Sequence, residues 1–235
     1  MKPFRVRLSL RKKYRYLVDA RTVTIDGVTL ISDKGRIPHY LRDLMYREVY
    51  EDTERNVLLK ILKPGHRVVE FGTGLGFISL LAAKICGPEK VNTYEANPTI
   101  EALIRENFQL NRVNPCLHMA AVTRDGRRLL FNASDNIISS SAFDRGISGK
   151  MIEIESIPFA DVLRSHSPDV LVMDVEGGEH ELLMSDGLAA IRHILVELHP
   201  HIIGQEKVDE IRNHLVSKGF VAETQDRKTF HFHRI

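Results

Sequence analysis

Alternating strand-like and helix-like segments predict an α/β chain with a seven-stranded, mostly parallel sheet, helices on both faces and an antiparallel strand at one edge. Three observations carry this. Short apolar runs recur between residues 67 and 218, each followed by a stretch of helical periodicity. One of them, Val68-Val69-Glu70-Phe71, passes straight into Gly72-Thr73-Gly74-Leu75-Gly76, the kind of turn by which a buried parallel strand enters a helix beside a ligand. The last two runs, near 219–223 and 229–233, are separated only by a polar turn around Gln225-Asp226, which pairs them antiparallel.

The chain begins with a basic head. Residues 1–21 hold eight Lys or Arg against Asp19 alone, a charge of +7 that leaves −5 for the rest of a chain of formal charge +2. Phe4, Val6, Leu8 and Leu10 alternate with Arg5, Arg7, Ser9 and Arg11. That period of two predicts a strand with one cationic face, rather than the amphipathic helix of an organelle transit peptide. An anion-binding face and a solvated outer face are both readings of it. Asp26-Gly27 between Thr22-Val23-Thr24-Ile25 and Val28-Thr29-Leu30-Ile31 predicts a two-residue β-hairpin. Leu41, Leu44, Met45, Val49, Val57, Leu58 and Ile61 then follow helical spacing until Lys63-Pro64-Gly65 stops it. Residues 1–62 are therefore expected as an N-terminal extension of basic strand, hairpin and helices, packed on a domain spanning 63–235. Within that domain strands are expected near 67–71, 91–95, 117–122, 169–174, 192–198, 219–223 and 229–233, and helices near 75–86, 98–111, 158–165, 178–184 and 205–218.

The glycines at positions 72, 74 and 76 remove Cβ atoms where the backbone must turn and a ligand must approach it. Phe77 stands where a dinucleotide-binding G-x-G-x-x-G motif would need its third glycine. Glu95 lies 19 positions beyond Gly76, at the tip of the next expected strand. An acid at that offset in a nucleotide-binding sheet accepts both ribose hydroxyls. Asn97-Pro98 already supplies a helix N-cap and first helical residue, which frees Glu95 for a ligand.

Two further stretches reach the same rim of the sheet. Asp169-Val170-Leu171-Val172-Met173-Asp174-Val175-Glu176-Gly177-Gly178-Glu179 and Ile194-Leu195-Val196-Glu197-Leu198-His199-Pro200 are both apolar strands ending in acids. Asp174 pairs in phase with Glu176, and Glu197 with His199. Glu179 and Glu181 read as first-turn acids favoured by the helix dipole. Between the third and fourth core strands, the polar stretch 132–141 contains Ser139, Ser140 and Ser141, candidate donors to a ligand carboxylate or to substrate. A solvated surface loop is the other reading of that stretch.

Composition, 43% apolar and 27% charged over 235 residues, fits one sizeable globular core. Only Cys86 and Cys116 are present, with no disulfide framework or C-x-x-C pair, so a reducing, cytoplasmic setting is expected. No apolar run approaches the roughly 18 residues of a membrane span, and the N-terminus lacks the apolar stretch of a secretory signal.

Taken together, these residues resemble the FkbM-type methyltransferases, within the Rossmann-like class I S-adenosylmethionine-dependent fold. The resemblance runs from about residue 45 to 200. It is carried by Tyr50-Glu51, the block from Val68 to Ser79, Tyr94-Glu95-Ala96-Asn97-Pro98 with Asn107 and Asn111 downstream, Asp174-Val175-Glu176-Gly177-Gly178-Glu179, and Glu197-Leu198-His199. The family more often has aspartate at the place of Glu70 and a Glu-Pro pair at that of Glu95-Ala96.

The resemblance implies S-adenosylmethionine as cofactor, bound by Glu51, Glu70, Phe71, Gly72, Thr73, Gly74, Gly76, Glu95, Ala96, Asn97, Ser140 and Asp174. Glu70 and Asp174 would position its ammonium group and Glu95 its ribose. It further implies O-methylation of a hydroxyl on a sugar, glycan, lipid or other small metabolite, with no metal. His199 is the expected neutral base, with Glu176 as the carboxylate alternative, and Asp174, Glu176 and His199 are expected to flank the transferred methyl. The alternatives are an RNA or protein methyltransferase docking through the basic head, a non-catalytic cofactor-binding scaffold, and a metal-assisted enzyme using Asp174, Glu176, Glu197 and His199.

Overall fold

A computed structural model describes residues 2–133, 150–224, 226 and 228–234. In chain order the elements are α1 (Lys2–Leu17), β1 (Thr22–Ile25), β2 (Val28–Ile31), α2 (His39–Tyr46), α3 (Asp52–Ile61), β3 (Val68–Phe71), α4 (Phe77–Cys86), β4 (Val91–Tyr94), α5 (Glu101–Asn111), β5 (Cys116–His118), β6 (Ala121–Thr123), β7 (Leu129–Ala133), β8 (Lys150–Ile154), β9 (Ser156–Pro158), α6 (Phe159–His166), β10 (Val170–Met173), α7 (Glu179–Leu183), β11 (His193–Glu197), α8 (Pro200–Ile203), α9 (Gln205–Ser217), β12 (Val221–Thr224) and β13 (Thr229–His233).

The central sheet has seven strands in the order β12-β13-β11-β10-β3-β4-β5. From β11 to β5 every neighbour is parallel, and β13 runs antiparallel between β11 and β12. The antiparallel pair therefore sits at the edge, with the last strand inserted one place in. β3 and β10 are buried along their whole length, as strands covered on both faces must be. Their period of two divides the core. Val68, Val170, Val172 and Leu195 face α4 and the β1–β2 hairpin, while Val69, Phe71, Leu171, Met173, Ile194 and Val196 face α6, α7 and α9. Among the described residues no helix is long and apolar enough to cross a membrane.

The hairpin forms as expected, with Ile25 opposite Val28 and the turn at Asp26 (φ 45) and Gly27 (φ 79). Two asparagines of α5 hold it to the core. Asn111 Oδ1 accepts from Thr29 N at 2.9 Å, and Asn107 Oδ1 accepts from Ile31 N at 2.9 Å while its Nδ2 donates to Leu75 O, also at 2.9 Å. Asn107 thus ties a strand edge of the extension to the glycine turn. It is fully buried, so Asn107→Ala leaves one donor and one acceptor unsatisfied and should destabilise the fold by about 2–4 kcal/mol in urea denaturation. A loss below about 1 kcal/mol would mean that water replaces the amide.

Two expectations are corrected. Residues 4–10 lie in helix α1, not in a strand. Arg, Lys and Leu are strong helix formers, and no glycine or proline interrupts residues 4–17, so the alternation of Arg with apolar residues does not impose extension. The helix docks by its second half: Arg15 donates to Tyr46 O at 2.8 Å and pairs with Glu48 at 2.8 Å, Lys12 pairs with Asp43 at 2.6 Å, and Tyr16 donates to Asp43 Oδ1 at 2.9 Å. The strand expected over 117–122 is two short ones. β5 ends at His118 because its partner β4 ends at Tyr94. Ala121–Thr123 then pairs with β9 outside the central sheet.

Candidate active site

The carboxyl ends of β3, β4 and β10 are drawn together by their backbones. Gly72 N donates to Tyr94 O at 2.9 Å, and Asp174 N donates to Phe71 O at 2.8 Å. A Cβ on Gly72 (φ 91) would lie 1.9 Å from Asp174 O, and one on Gly76 (φ 80) would lie 2.7 Å from the Phe108 ring. Those two glycines permit close packing. Gly74 (φ 54) is different, because a Cβ there would meet nothing nearer than Tyr50 Oη at 3.7 Å and Glu51 Oε1 at 3.9 Å. It faces open space.

That space is a cavity of about 310 Å³. Its wall includes Glu51, Phe71, Gly72, Gly74, Glu95, Ala96, Asn97, Asp174 and Glu176 from the expected site. Glu95 is buried, with Oε2 accepting from Gly74 N at 3.0 Å and Oε1 from Asn97 N at 2.8 Å. Burial raises its pKa and these backbone bonds oppose the rise. The backbone N–H groups of Ala96 and Thr73 also oppose the rise, so the carboxylate is held at the cavity wall by main-chain donors on several sides. Asn97 caps the following turn through Thr99 N at 3.0 Å. Glu51 (φ 47) and Glu176 (φ 50) both line the cavity in left-handed backbone, a conformation that costs a non-glycine residue energy and concentrates at functional sites. Burial drives the Glu51 carboxyl well above its usual range, against a hydrogen bond from Tyr50, with Glu54, Glu70 and Asp174 adding to the rise.

Glu70, expected at a ligand ammonium, does not line the cavity. Its buried carboxylate accepts from Ser79 Oγ and from Thr93 Oγ1, the latter at 2.6 Å, and Thr93 also bonds Thr73 Oγ1 at 2.5 Å. Burial outweighs those bonds and pushes the Glu70 pKa up to about 7. Glu70 and Thr73 thus brace the turn from behind. Strand alternation accounts for it: Val68 belongs to the hairpin-side core, and Glu70, two residues on, points the same way. Ser140 lies outside the described residues.

Behind Asp174 and Glu176 sits a charged cluster. His199 is almost fully buried (3% exposed), and its Nδ1–H donates to Glu179 Oε1 at 2.5 Å. Its Nε2 lies 3.4 Å from Glu197, 3.6 Å from Asp174 and 3.6 Å from Glu176. Burial alone would lower the imidazole pKa, but the bonds to Glu179 and Glu197 and the charge of Asp174 raise it to about 10. His199 is therefore an imidazolium at neutral pH. The expectation of a neutral base rested on an unperturbed histidine, and four surrounding carboxylates remove that condition.

Asp174 is half open to the cavity yet crowded by cleft atoms. That crowding, followed by Glu197, pushes its carboxyl well above the ordinary range, with Glu176 and Glu179 adding and His199 opposing. Glu179 does occupy the first turn of α7, but it is fully buried and also accepts from Gly177 N at 2.9 Å. Asp174, Glu197 and His199, three of the four residues in the metal-assisted reading, present ligand atoms within 4.8 Å of one another. As a cation, His199 already supplies part of the charge that a metal would bring.

Sequence reasoning missed Arg127 and assigned no role to Tyr50, both of which line the cavity. Arg127 makes bidentate 2.6 Å bonds to Glu181, which ties the stretch after β6 to α7. No local pattern marks this pair, whose members are 54 residues apart.

Comparison with known proteins gives the family and the fold. The Methyltransferase FkbM domain family matches residues 68–222. No curated protein sequence matches significantly. Among solved structures, a putative rRNA-methylase from Clostridium thermocellum is similar at 10% identity and TM-score 0.52, over 79% of this chain and 95% of that one. The precorrin-6y C5,15-methyltransferase from Geobacter metallireducens GS-15 shares 15% identity at TM-score 0.48, over 88% and 94%. The magnesium protoporphyrin IX methyltransferase from Synechocystis PCC 6803, solved with bound SAM, shares 14% at TM-score 0.47, over 84% and 85%. With the family match spanning β3 to β12 and the glycine turn, Glu95 and Asp174 meeting at one cavity, the chain belongs to the FkbM methyltransferase family.

Proposed function

We propose that this protein is an S-adenosylmethionine-dependent O-methyltransferase acting on a hydroxyl of a sugar, glycan, lipid or other small metabolite. The observation that carries the reading is the cavity at the carboxyl ends of β3, β4 and β10, which Gly74 lines without a side chain and whose wall presents the backbone-held carboxylate of Glu95. Glu51, Glu95, Asp174 and Glu176 line it against Arg127, which Glu181 neutralises. That balance suits a cofactor bearing both a sulfonium and an ammonium.

S-adenosylmethionine supplies a methyl group that leaves its sulfur by in-line displacement. The Gly72 and Gly74 backbone would border its methionine portion, Glu95 would accept from its ribose hydroxyls, and Ala96 and Asn97 would form the neighbouring wall. Alignment is the main task of the site, since holding donor and acceptor in contact removes most of the entropic cost. Asp174, with its raised pKa, accepts the proton of the acceptor hydroxyl, and Glu176 is the adjoining carboxylate. His199 positions both from below as a cation. A docking role for the basic head receives less support, because Lys12 and Arg15 are committed to Asp43 and Glu48.

Replacing Glu95 with Gln tests the cofactor assignment. The amide is uncharged and offers one acceptor oxygen where the carboxylate offers two, so S-adenosylhomocysteine should bind about 10- to 100-fold more weakly, the loss of one or two charge-assisted hydrogen bonds. Titration calorimetry reads this directly. Unchanged affinity in the variant, or no binding by the wild type, would sink the assignment.

A further inference from the structure

A second cluster of histidines lies away from the cavity, at the β11–β13–β12 edge of the sheet. The register places His231 between Leu195 and Glu223, and His233 between His193 and Val221. Side chains directly opposite one another share a face, so His193, His231, His233 and Glu223 stand together. Phe230 and Phe232 take the other face and fill the core. His193 precedes Glu197 by four residues on the same strand, which puts it roughly 13 Å from the acidic rim at about 3.3 Å per residue.

The contacts within this group are specific. His231 is 95% buried, its relative exposure being 5%. Its Nδ1 lies 3.5 Å from Glu223 Oε2, and its Nε2 lies 3.1 Å from His193 Nδ1. The His231 ring stacks on His193 at 5.3 Å and on His233 at 5.2 Å. His233 Nδ1 is buried and has no hydrogen-bond partner among the described residues. One ligand atom from each of Glu223, His231 and His233 lies within 4.8 Å of the others. An unsatisfied buried nitrogen costs about 1–3 kcal/mol, and apolar residues would pack the same face without that cost.

We propose that Glu223, His231 and His233 bind a divalent transition-metal ion of the zinc class. Two imidazole nitrogens and one carboxylate oxygen are a ligand set that Zn²⁺ accepts, with water completing four-coordination. At metal–ligand bonds of about 2.0–2.2 Å the three atoms close to roughly 3.3 Å apart. The Glu223 side chain, 56% exposed, is free to swing inward for this. His231 binds through Nδ1 and donates its Nε2–H to His193 Nδ1, the outer partner that fixes the tautomer and orientation of a metal-bound histidine. The ion bridges β12 to β13 and fastens the outermost strand of the sheet. This site is independent of the methyl-transfer assignment.

The test uses the full chain stripped with a chelator and then titrated with ZnCl₂, bound metal being read by competition with a chromogenic chelator and geometry by the visible spectrum of a Co²⁺ substitute. Expected are one tight equivalent per chain, a tetrahedral Co²⁺ spectrum, and a higher melting temperature with Zn²⁺. Glu223→Gln and His233→Gln should each weaken binding by about tenfold or more. Glu223 is exposed, so its variant keeps the metal-free melting temperature, and an unfolded His233 variant leaves the decision to it. Glu197→Gln should bind as the wild type does. No binding at about 0.1 mM metal, wild-type affinity in Glu223→Gln, or loss in Glu197→Gln alone, which would move the ion to the Asp174 and His199 cluster, overturns the proposal.

Discussion

Replacing Gly74 with valine abolishes binding of S-adenosylhomocysteine, by at least about 100-fold, in a protein that still folds. The expectation follows from where the new side chain goes. Its Cβ meets Tyr50 Oη at 3.7 Å and Glu51 Oε1 at 3.9 Å, ordinary contacts with side-chain ends rather than backbone, and the branched group is added at the wall of the cavity that the cofactor would fill. A β-branched residue at φ 54 is strained by roughly 1–3 kcal/mol, which lowers the melting temperature without erasing the transition. Gly72→Ala supplies the contrast. Its Cβ would sit 1.9 Å from the backbone oxygen of Asp174, and strands β3 and β10 cannot separate by that much without losing the sheet, so this variant should not fold. Circular dichroism and calorimetric titration separate the two effects. A folded Gly74→Val protein with wild-type affinity would reduce the glycine turn to a structural device and remove the cofactor assignment with it.

Features that depend on neighbours in sequence were legible. Asp26-Gly27 names its own turn, and the apolar runs at β10 and β11 end in acids that the parallel sheet carries to one rim. Glu95 could be placed because its offset from the glycine turn is set by one helix and one strand. Features that depend on distant partners were not. Glu179 reads locally as a helix first-turn acid, and only the fold brings His199, 20 residues away, against it. The role of His199 changed for the same reason, since its charge state is set by Glu179, Glu197 and Asp174 rather than by its own chemistry. The basic head shows the converse error. Alternation over residues 4–10 is a weak signal, and helix propensity together with the docking of Arg15 and Tyr16 on residues 43–48 prevails.

The catalytic assignment is decided by comparing Asp174→Asn with His199→Gln. If Asp174 is the base, its amide variant loses the cavity carboxylate assigned to take the hydroxyl proton, one held above its normal pKa. Turnover on a hydroxylated acceptor should fall by about two to four orders of magnitude, the range for general base catalysis, with cofactor affinity nearly intact. The pH dependence has a definite sign. Asp174 is inactive when protonated, so the wild-type rate falls as pH drops through a pKa raised above the ordinary aspartate value. His199 is charged up to about pH 10, and its positive charge lowers the Asp174 pKa against Glu197, Glu176 and Glu179. Removing that charge in His199→Gln should therefore keep the acid limb and move it to higher pH. A base role for His199 demands the opposite, disappearance of the acid limb together with most of the rate. Measuring both profiles by release of S-adenosylhomocysteine distinguishes the two. Full activity in both variants would leave alignment of donor and acceptor as the sole source of rate enhancement.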